Sequence, residues 1–488
     1  MSYTDYIEDF NDVPNPDDME QQLLSITHAI KNGKLNKSTV PEPEQLEVLV
    51  DYCIDKEKYP IALELCKLWI EFEPYSTDAL LKMSMITNNM ENYEEALEIL
   101  DKILSLNPND TEALFHKSVT LNQLHRTNEA LKCLEDAMIY EPGNEDLLFQ
   151  KAYIMQSARK YKEAIKIYLL LLGSSDLKKD CQQELAFCYH SVSDYENALR
   201  FYELSINESP FDYALWHNKG VILHTLEKYH QAIECFDMVL AIRKDFFLAY
   251  HNKGNSLASL GKVKEAIESY QEALVLDPMD VDTLHNLGSI YGDLGYYIKA
   301  INIFTTALNL DPKHYQSYFG RGICYDALED FLKALEDYDS AIEIQKKNPD
   351  IWYAKGDLLY NQSRFSDAIA CYYKVSELEP FNAEVWYDIG ITYFENNEFT
   401  QAKSAFENTI KFAHDWPDGY YWLAKTYAKL DSVRRAAFYY GIALYLNPLK
   451  EAEYKYDLSS LIKDIDLNEF RHYAKMSYFK IKNRHHSS

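Results

Sequence analysis

The sequence contains little positive charge for its length. Its 488 residues include 49 lysines and arginines against 77 aspartates and glutamates, a formal net charge of -28. Nucleic-acid binding without sequence preference needs clustered Lys and Arg to neutralise phosphates, and an anionic membrane surface attracts the same side chains. We therefore expect neither nucleic acid nor a membrane as a partner. The negative electrostatic field of the protein favours a partner that is basic or neutral, or one that binds aromatic side chains.

Long apolar runs are also missing. The longest, residues 167–172 in YKEAIKIYLLLLG, is far shorter than the ~20 residues that a membrane-spanning helix needs. The first residues, MSYTDYIEDFNDVPNPDD, are acidic where a secretory signal would have a positive region followed by an apolar one. We expect a soluble, cytoplasmic protein.

Cysteine is scarce as well. The eight cysteines include no C-x-x-C pair, so they do not form a disulfide framework. With 47% hydrophobic and 14% aromatic residues, the chain can still form a large core, which excludes intrinsic disorder. We interpret most of the cysteines as buried structural thiols rather than redox or metal groups, in particular Cys53, Cys66, Cys188, Cys235, Cys324 and Cys371.

Motifs of enzymes and metal sites are absent from the sequence. GNSLASLGKV has Ser256 and Val263 where a phosphate-binding loop needs Gly and Ser or Thr. DPMDVD, from Asp277, lacks the turn glycine and the distal Glu of a calcium loop. Neither H-E-x-x-H nor G-x-S-x-G occurs. We expect no enzyme activity, no cofactor and no metal.

What the sequence does contain is a repeat of 34 residues. Gly220, Gly254 and Gly288 close the similar stretches WHNKG, YHNKG and LHNLG, and steps of 34 lead on to Gly322, Gly356, Gly390 and Ala424, and back to Ala186, Ala152, Ser118, Ser84 and Val50. Twelve residues after each of these positions stands an alanine: Ala62, Ala96, Ala130, Ala164, Ala198, Ala232, Ala266, Ala300, Ala334, Ala368, Ala402 and Ala436. Chance does not explain twelve alanines in phase.

Each repeat predicts a helical hairpin. In the repeat from Phe247, apolar residues recur at helical spacing over 248–260 and 264–276, with Gly261 and Lys262 as the turn. We number positions within a repeat from 1, so that Gly254 is position 8 of repeat 7. The small residue at position 8 and the alanine at position 20 are expected where the two helices cross. A bulky residue at position 24, usually aromatic, is expected to fill the seam to the following repeat.

This pattern resembles the tetratricopeptide repeat. The stretches IWYAKGDLL and VWYDIGITYFENNEFTQAKSAFE match its W-x2-L-G-x2-Y and A-x3-F spacing closely. The resemblance covers residues 43–450 as twelve contiguous repeats, and it implies an all-α, right-handed superhelical solenoid of antiparallel helix pairs. Residues 1–42 are predicted to be an acidic leader with one helix over 18–31. Residues 451–488 are predicted to form capping helices, including one near 451–462, and a basic tail.

In this family the first helices of the repeats line a concave groove, and the resemblance implies which residues face it. Asn218, Asn252 and Asn286 at position 6 resemble the asparagine ladder of O-GlcNAc transferases, whose amides bind the backbone of an extended peptide. Aromatic and acidic residues downstream could hold Lys or Arg by ion pairing and cation-π contact. The expected groove residues are His217, Asn218, His251, Asn252, Asn255, His285, Asn286, Tyr353, Asp357, Tyr387 and Asp388.

We expect the protein to be an interaction scaffold or adaptor that binds an extended peptide or partner segment in this groove. Three alternatives remain open: a regulatory or substrate-recruiting subunit of an enzyme on another chain, a small-ligand or metal site formed by the histidines, and asparagines that are merely solvated. The basic residues that the family uses to clamp chaperone tails are missing, since Glu47 and Asp51 begin the array. The sequence does not identify the partner.

Overall fold

The fold was determined as a computed structural model that describes residues 20, 23–24, 26–27, 43–173 and 176–450. All secondary structure in these residues is helical, which confirms the all-α prediction. The helices are α1 (Pro43–Asp55), α2 (Tyr59–Phe72), α3 (Thr77–Asn89), α4 (Tyr93–Leu106), α5 (Thr111–Gln123), α6 (Thr127–Tyr140), α7 (Glu145–Ser157), α8 (Tyr161–Leu171), α9 (Lys178–Ser191), α10 (Tyr195–Glu208), α11 (Tyr213–Thr225), α12 (Tyr229–Ile242), α13 (Phe247–Ser259), α14 (Val263–Leu276), α15 (Val281–Asp293), α16 (Tyr297–Leu310), α17 (Tyr315–Ala327), α18 (Phe331–Ile344), α19 (Pro349–Asn361), α20 (Phe365–Leu378), α21 (Ala383–Glu395), α22 (Phe399–Phe412), α23 (Pro417–Lys429) and α24 (Val433–Leu446). A 3-10 turn, Pro448–Lys450, follows the last helix.

The helices pair in the predicted order, so that each odd-numbered helix is the first of a repeat and the next is its second. Within residues 43–228 and within residues 229–450, paired helices pack on one another and each pair packs on its neighbour, as in a solenoid of helical hairpins. The chain divides into two compact units, residues 1–228 and residues 229–488, and the division falls inside repeat 6. No helix in the described part of the chain has the length and apolar character needed to cross a membrane.

Each hairpin turns at position 15 through a residue with positive φ. Gly261 and Gly295 have φ of 72° and 79°, and in the described repeats the other ten residues at this position are not glycine, with φ between 54° and 63°. In repeat 7 the Gly261 N–H donates to the Ala258 carbonyl and the Lys262 N–H to the Leu257 carbonyl, both at 2.9 Å. These two bonds close the end of α13 in the manner of a Schellman motif, which requires the left-handed residue.

Close packing within a hairpin depends on the small residue at position 8. A Cβ placed on Gly254 would lie 2.5 Å from Cε1 of Tyr270, the ring at position 24 of the same repeat. The twelve alanines at position 20 are all fully buried, as the repeat predicts. The nearest neighbour of the glycine is nevertheless the ring and not the alanine. In repeat 8 the ring of Phe304 lies between Gly288 of its own repeat and Gly320 of the next, so it also fills the seam.

Ion pairs recur between successive repeats. In five places in the described residues, the lysine at position 7 pairs with the acid at position 25 of the preceding repeat: Lys117–Asp101, Lys151–Glu135, Lys219–Glu203, Lys253–Asp237 and Lys355–Asp339. The lysine of YHNKG, Lys253, is one of these, with its Nζ 2.6 Å from Asp237 Oδ1. Half-exposed pairs of this kind each contribute at most about 1 kcal/mol.

The helix predicted over 18–31 is described at five positions, all helical. Two of them, Leu23 and Ile26, are buried in the core of the first repeat beside Leu46. Glu20 accepts hydrogen bonds from the Tyr52 hydroxyl at 2.8 Å and from Lys58 at 3.0 Å. These contacts cover the apolar end of repeat 1. The acidic residues 1–17 and the capping helices predicted after 450 lie outside the described residues.

The cysteines have the structural role that the sequence predicts. Seven are buried, Cys133 is half-buried, and all eight are free thiols. Burial raises the pKa of Cys53 and Cys371 to about 11 and that of Cys66 to about 12. Because the thiolate is the reactive form, these groups are unreactive near neutral pH.

Candidate functional site

The residues predicted to line a groove lie on the first helices of the repeats. Side-chain hydrogen bonds join α13 to α15 and α19 to α21, so these side chains lie between neighbouring first helices. We call the surface formed by positions 5, 6 and 9 of α13, α15, α17, α19, α21 and α23 the first-helix face. His217 and Asn218 stand at positions 5 and 6 of α11, in the other compact unit.

Asn255 is the centre of a hydrogen-bond network in repeats 7 and 8. Its Oδ1 accepts from the Tyr270 hydroxyl at 2.7 Å and from Asn286 Nδ2 at 2.9 Å. Its Nδ2 lies 3.0 Å from His251 Nε2. An amide oxygen has two lone pairs, so both acceptor sites of Asn255 are used. Asn255 therefore links α13, α14 and α15, and its oxygen has no capacity left for a ligand.

His251 has a hydrogen-bond partner on each ring nitrogen. Its Nδ1 lies 2.5 Å from Thr283 Oγ1 and 3.5 Å from Asp280 Oδ2. Asp280 caps α15 by accepting from the Thr283 main-chain N–H at 3.0 Å, and its hydrogen bond with His251 is the main cause that lowers the Asp280 pKa. A neutral His251 with its proton on Nδ1 satisfies the chain from Asn255 through Thr283 to Asp280. The ring is thus held as a structural bridge between repeats 7 and 8.

His285 lies in an apolar environment instead. Its ring centroid is 5.7 Å from that of Phe304 and 5.3 Å from that of His314. Its Nδ1 is buried and has no hydrogen-bond partner. Burial, with a smaller effect of His314, lowers the His285 pKa to about 4, so this histidine is neutral near pH 7. His314 caps α17, since its Nδ1 accepts from the Ser317 main-chain N–H at 3.3 Å.

The three predicted ladder asparagines each stand at position 6 of their helix. Asn286 is bonded to Asn255, as described above. Asn252 is half-buried on α13, and its carbonyl accepts from Ser256 Oγ at 3.0 Å. Asn218 is half-buried on α11 and hydrogen-bonds His217, whose pKa is lowered by burial and partly restored by that bond. Within the described residues, no group of three or more His, Cys, Asp or Glu is placed to hold a metal ion.

Acidic and aromatic side chains converge on α19 and α21, where the sequence predicts them. The Tyr353 hydroxyl donates to Asp388 Oδ2, and the Tyr372 hydroxyl donates to Asp357 Oδ1 at 2.7 Å. The rings of Tyr353 and Tyr372 pack edge to face with centroids 5.6 Å apart. Tyr387 follows on α21, next to Asp388. We call Tyr353, Asp357, Tyr387 and Asp388 the acidic–aromatic cluster.

The carboxylates of this cluster are held in an unfavourable environment. Burial raises the pKa of Asp388 to about 6, and the charges of Asp357 and Glu384 add to the effect. Burial also raises the pKa of Asp357 and of Asp326, the nearby acid on α17. In the described residues, no Lys or Arg forms an ion pair with Asp326, Asp357 or Asp388. The cluster therefore carries negative charge that no cationic side chain of the described residues neutralises.

Tyr387 extends the cluster toward repeat 12. Its ring stacks on Trp416 with centroids 4.6 Å apart and contacts the ring of Phe406 edge-on at 6.0 Å. Burial, followed by the charge of Asp418, raises the Tyr387 pKa to about 12. The phenol is therefore neutral near pH 7. An aromatic face next to two carboxylates is suited to a cationic side chain, because the ring and the acids both attract it.

Some residues of this region were missed at the level of sequence. The repeat pattern places Tyr372 and Tyr270 only among the packing residues of position 24, yet their hydroxyls bond to position 9 of their own repeats. A tyrosine at position 24 combined with Asn255 or Asp357 at position 9 was the available signal. Trp416 carried no signal, because it lies in the loop before α23 and outside the positions that the family uses.

The other compact unit has its own concave site between α5 and α7. A cavity of about 550 Å³ is lined by Phe115, His116, Phe149 and Gln150 together with acids and amides at the helix starts. A smaller cavity, about 230 Å³, lies on the opposite side of Phe115 and His116. Burial lowers the pKa of His116, so its side chain is neutral near pH 7. Phe115 and Phe149, both on first helices, line the larger cavity together.

Comparisons with known proteins agree with the helical hairpins. The family model described as "TPR repeat" matches residues 254–295 and 356–397, and that described as "Tetratricopeptide repeat" matches residues 77–110, 213–246, 281–314, 315–348 and 383–412. No curated protein matches the chain. Every matched segment lies within the predicted array of residues 43–450.

Among solved structures, the chain is similar to MamA at 23% identity over 34% of this chain and 92% of that one, with a TM-score of 0.33. It is similar to YrrB, a TPR protein with an unusual peptide-binding site, at 23% identity over 37% and 93% with a TM-score of 0.33. It is also similar to the APC/C hetero-tetramer Cut9-Hcn1 at 12% identity over 92% and 98%, with a TM-score of 0.40. With its repeat phase, its helical hairpins and the matching family models, the chain belongs to the tetratricopeptide-repeat family, whose repeats serve as protein-interaction scaffolds.

Proposed function

We propose that the first-helix face of residues 229–450 binds an extended segment of a partner protein, and that the acidic–aromatic cluster receives basic side chains of that segment. The observation that supports this most is the cluster's unneutralised charge. Asp357 and Asp388 have raised pKa values and no cationic partner in the described residues. A Lys or Arg from outside would remove this cost and add cation-π contact with Tyr353 or Tyr387.

The amides of repeats 7 and 8 have a secondary part in the proposal. Asn252 and Asn286 can offer N–H donors and oxygen acceptors to the main chain of a bound segment. Asn255 contributes less, because its oxygen already accepts two hydrogen bonds inside the protein. We therefore expect sequence selectivity at the acidic–aromatic cluster, and only sequence-tolerant main-chain contacts at the amides.

His251 and His285 do not contribute catalysis in this proposal. Both nitrogens of His251 are engaged with neighbouring residues, and His285 is neutral among aromatic rings. The protein then acts as an adaptor. A role as a recruiting subunit of an enzyme would use the same face, and the identity of the captured partner distinguishes the two.

The test begins with affinity capture by the full chain and identification of the partner by mass spectrometry. The bound segment is then mapped with overlapping labelled peptides, and its affinity is measured by fluorescence anisotropy. The double variant Asp357→Asn/Asp388→Asn is expected to weaken binding at least about tenfold, since truncating one side of a desolvated charge pair typically costs more than 1.4 kcal/mol. Asn252→Ala/Asn286→Ala is expected to weaken binding by less than tenfold, and by a similar factor for every mapped peptide.

A matched control separates the cluster from overall charge. Glu336 and Glu343 are exposed acids on α18, the second helix of repeat 9, so Glu336→Gln/Glu343→Gln removes the same two charges away from the first-helix face. Its affinity is expected to stay within about twofold of the wild type once salt screens long-range effects. Equal weakening by both double variants, or no weakening by the cluster variant, would overturn the proposal.

A further inference from the structure

The distribution of charge along the chain is strongly uneven at one place. Residues 471–488, RHYAKMSYFKIKNRHHSS, contain no acid, while the whole chain has a formal net charge of -28. The segment carries five cations in eighteen residues: Arg471, Lys475, Lys480, Lys482 and Arg484. It also contains Tyr473, Tyr478 and Phe479, which can pack on other rings. This basic segment is chemically complementary to the acidic–aromatic cluster.

The described chain ends beside that cluster. Lys450 Nζ lies 2.9 Å from Asp418 Oδ1, in the first turn of α23. The Asp418 charge is close enough to raise the pKa of Tyr387, next to burial, which is the larger cause. Trp416, immediately before α23, stacks on the same Tyr387 ring. A continuous set of contacts therefore leads from the exit of repeat 12 to the first-helix face of repeat 11.

The length of chain between Lys450 and the basic segment is sufficient to reach the cluster. Neighbouring helices pack 8–10 Å apart, so the step from repeat 12 to repeat 10 is roughly 20 Å. Twenty intervening residues span up to about 70 Å when extended and still about 30 Å when helical. The connection is thus long enough in either conformation. A tethered segment at such a distance has an effective concentration in the millimolar range, which favours it over a second copy in dilute solution.

We propose that the basic segment 471–488 binds the acidic–aromatic cluster of its own chain and competes there with the partner. The inference rests on the proposed function only in that a partner uses the same cluster, because the contact of the segment with the cluster can be measured without a partner. Lys or Arg side chains of the segment would approach Asp357 and Asp388 over the rings of Tyr353 and Tyr387. The scaffold would then be closed to weak basic ligands, and a partner would have to displace the segment.

The contact is tested by zero-length carbodiimide coupling of the full chain, which joins lysine amines to carboxylates in direct contact. Coupled peptides are expected to link Lys475, Lys480 or Lys482 to Asp357, Asp388 or Glu384. In an equal mixture of ¹⁴N- and ¹⁵N-labelled protein, these links are expected within one isotope only. Mixed-isotope links would overturn the proposal in favour of a second copy, and the absence of links to the cluster would overturn it outright.

Competition is tested with a labelled synthetic peptide of residues 468–488 added to the full chain. The variant Lys475→Gln/Lys480→Gln/Lys482→Gln/Arg484→Gln no longer occupies the cluster, so it is expected to bind this peptide at least about tenfold more tightly than the wild type does. Adding Asp357→Asn/Asp388→Asn to that variant is expected to abolish the gain. Equal peptide affinity of the wild type and the first variant would overturn the proposal.

A matched control is needed because the variant also makes the protein more negative. Four exposed lysines on second helices can be neutralised instead, as in Lys132→Gln/Lys162→Gln/Lys166→Gln/Lys264→Gln. This control changes the net charge by the same amount and is expected to leave peptide affinity within about twofold of the wild type. A gain in the control equal to that of the segment variant would show a general charge effect and refute the inference.

The two proposals fail in distinguishable ways. If the captured partner binds the cluster and no coupled peptide joins the basic segment to it, the function stands and the inference fails. If the segment couples to the cluster and the partner binds equally well to the Asp357→Asn/Asp388→Asn variant, the inference stands and the proposed function fails.

Discussion

In the variant Lys475→Gln/Lys480→Gln/Lys482→Gln/Arg484→Gln, whose basic segment no longer occupies the cluster, replacing Asp388 by asparagine is expected to stabilise the protein at neutral pH. The Asp388 carboxyl has its pKa raised from 3.8 to about 6 by burial and by nearby acids. A shift of roughly 2 units corresponds to about 3 kcal/mol at 1.36 kcal/mol per unit, which is an upper limit because Asp357 and Glu384 share the effect. Asparagine keeps an oxygen that accepts the Tyr353 hydroxyl and removes the charge. We expect a gain of about 1–2 kcal/mol.

The sign of the pH dependence follows from the raised pKa. Between about pH 4 and pH 6 the folded chain keeps a proton on Asp388 that the unfolded chain has lost, so the folded state binds more protons there. The destabilisation by the Asp388 charge is therefore complete above about pH 6 and disappears as the pH falls toward 4. The stabilisation by Asp388→Asn is expected in full near pH 7.5 and is expected to be small near pH 4.5.

Hydrogen exchange is the suitable assay, because long repeat arrays do not unfold as a single cooperative unit. Amides of α19, α20 and α21 are compared at one pH between that segment variant and the same variant with Asp388→Asn, which cancels the intrinsic rate. A gain of 1–2 kcal/mol slows exchange by roughly 5- to 30-fold near pH 7.5. Glu377→Gln, an exposed acid on α20 whose charge is not among the causes of the Asp388 shift, is the control and should change protection little. A gain in protection by Asp388→Asn that is the same at pH 7.5 and at pH 4.5 would refute the reasoning. Exchange that is faster with Asp388→Asn than without it at neutral pH would refute it too.

Three further predictions concern the hairpins. Gly254→Ala places a methyl against the Tyr270 ring and should cost about 1–3 kcal/mol, measured as faster hydrogen exchange in its own hairpin, whereas Gly143→Ala, with no atom within 4 Å, should be nearly neutral in the same assay. Equal costs at the two sites would contradict the packing described. Glu329→Gly relieves a residue at φ 60° and should stabilise its hairpin by up to about 1 kcal/mol, measured as slower hydrogen exchange in α17 and α18; a loss would count against strain at position 15. Ala300→Leu overpacks the hairpin and should cost about 1–3 kcal/mol, so that the melting temperature falls; an unchanged melt would contradict the register.

The sequence predicts the helices well because every repeat has small and bulky side chains at the same positions. Small residues at position 8, alanine at position 20 and bulky residues at position 24 are needed in every hairpin, and their phase locates each turn. Proline stands at position 32 in eight of the twelve repeats, but it is not always needed to end a repeat. Lys346 stands where most repeats have proline, and α18 and α19 still end and begin at the usual positions. At Asp176, by contrast, α8 has only 11 residues and α9 starts early, at Lys178.

The left-handed turn residue could not be predicted from composition. Only Gly261 and Gly295 carry the usual signal, while charged residues such as Glu57 and Arg159 adopt the same backbone conformation elsewhere. Two stacked helices and the hydrogen bonds of the turn impose that geometry, so the conformation is set by tertiary packing and not by local preference. A pattern search limited to glycine would have found two turns of the described array.

The side-chain hydrogen bonds on the first-helix face could not be predicted from the sequence either. Position 6 predicts that Asn286 faces outward, but its bond to Asn255 depends on the rotamers of residues in two repeats. The raised pKa of Asp388 arises from burial and from acids on α19 and α21 together. No single motif encodes such a value. The sequence could only identify which residues share the face.

The contrast between the two halves of this face bears on where binding energy can come from. In repeats 7 and 8, Asn255 and His251 already have their hydrogen bonds inside the protein, so a ligand there can only exchange one bond for another. Such exchange contributes little net free energy. In repeats 10 and 11, no cationic side chain of the described residues offsets the cost of charging Asp357 and Asp388. A cationic group relieves that cost as it binds, so the substitution that stabilises the protein when no such group is bound should weaken the complex. Stability and affinity are therefore expected to change in opposite directions at Asp388, and in the same direction at Asn255.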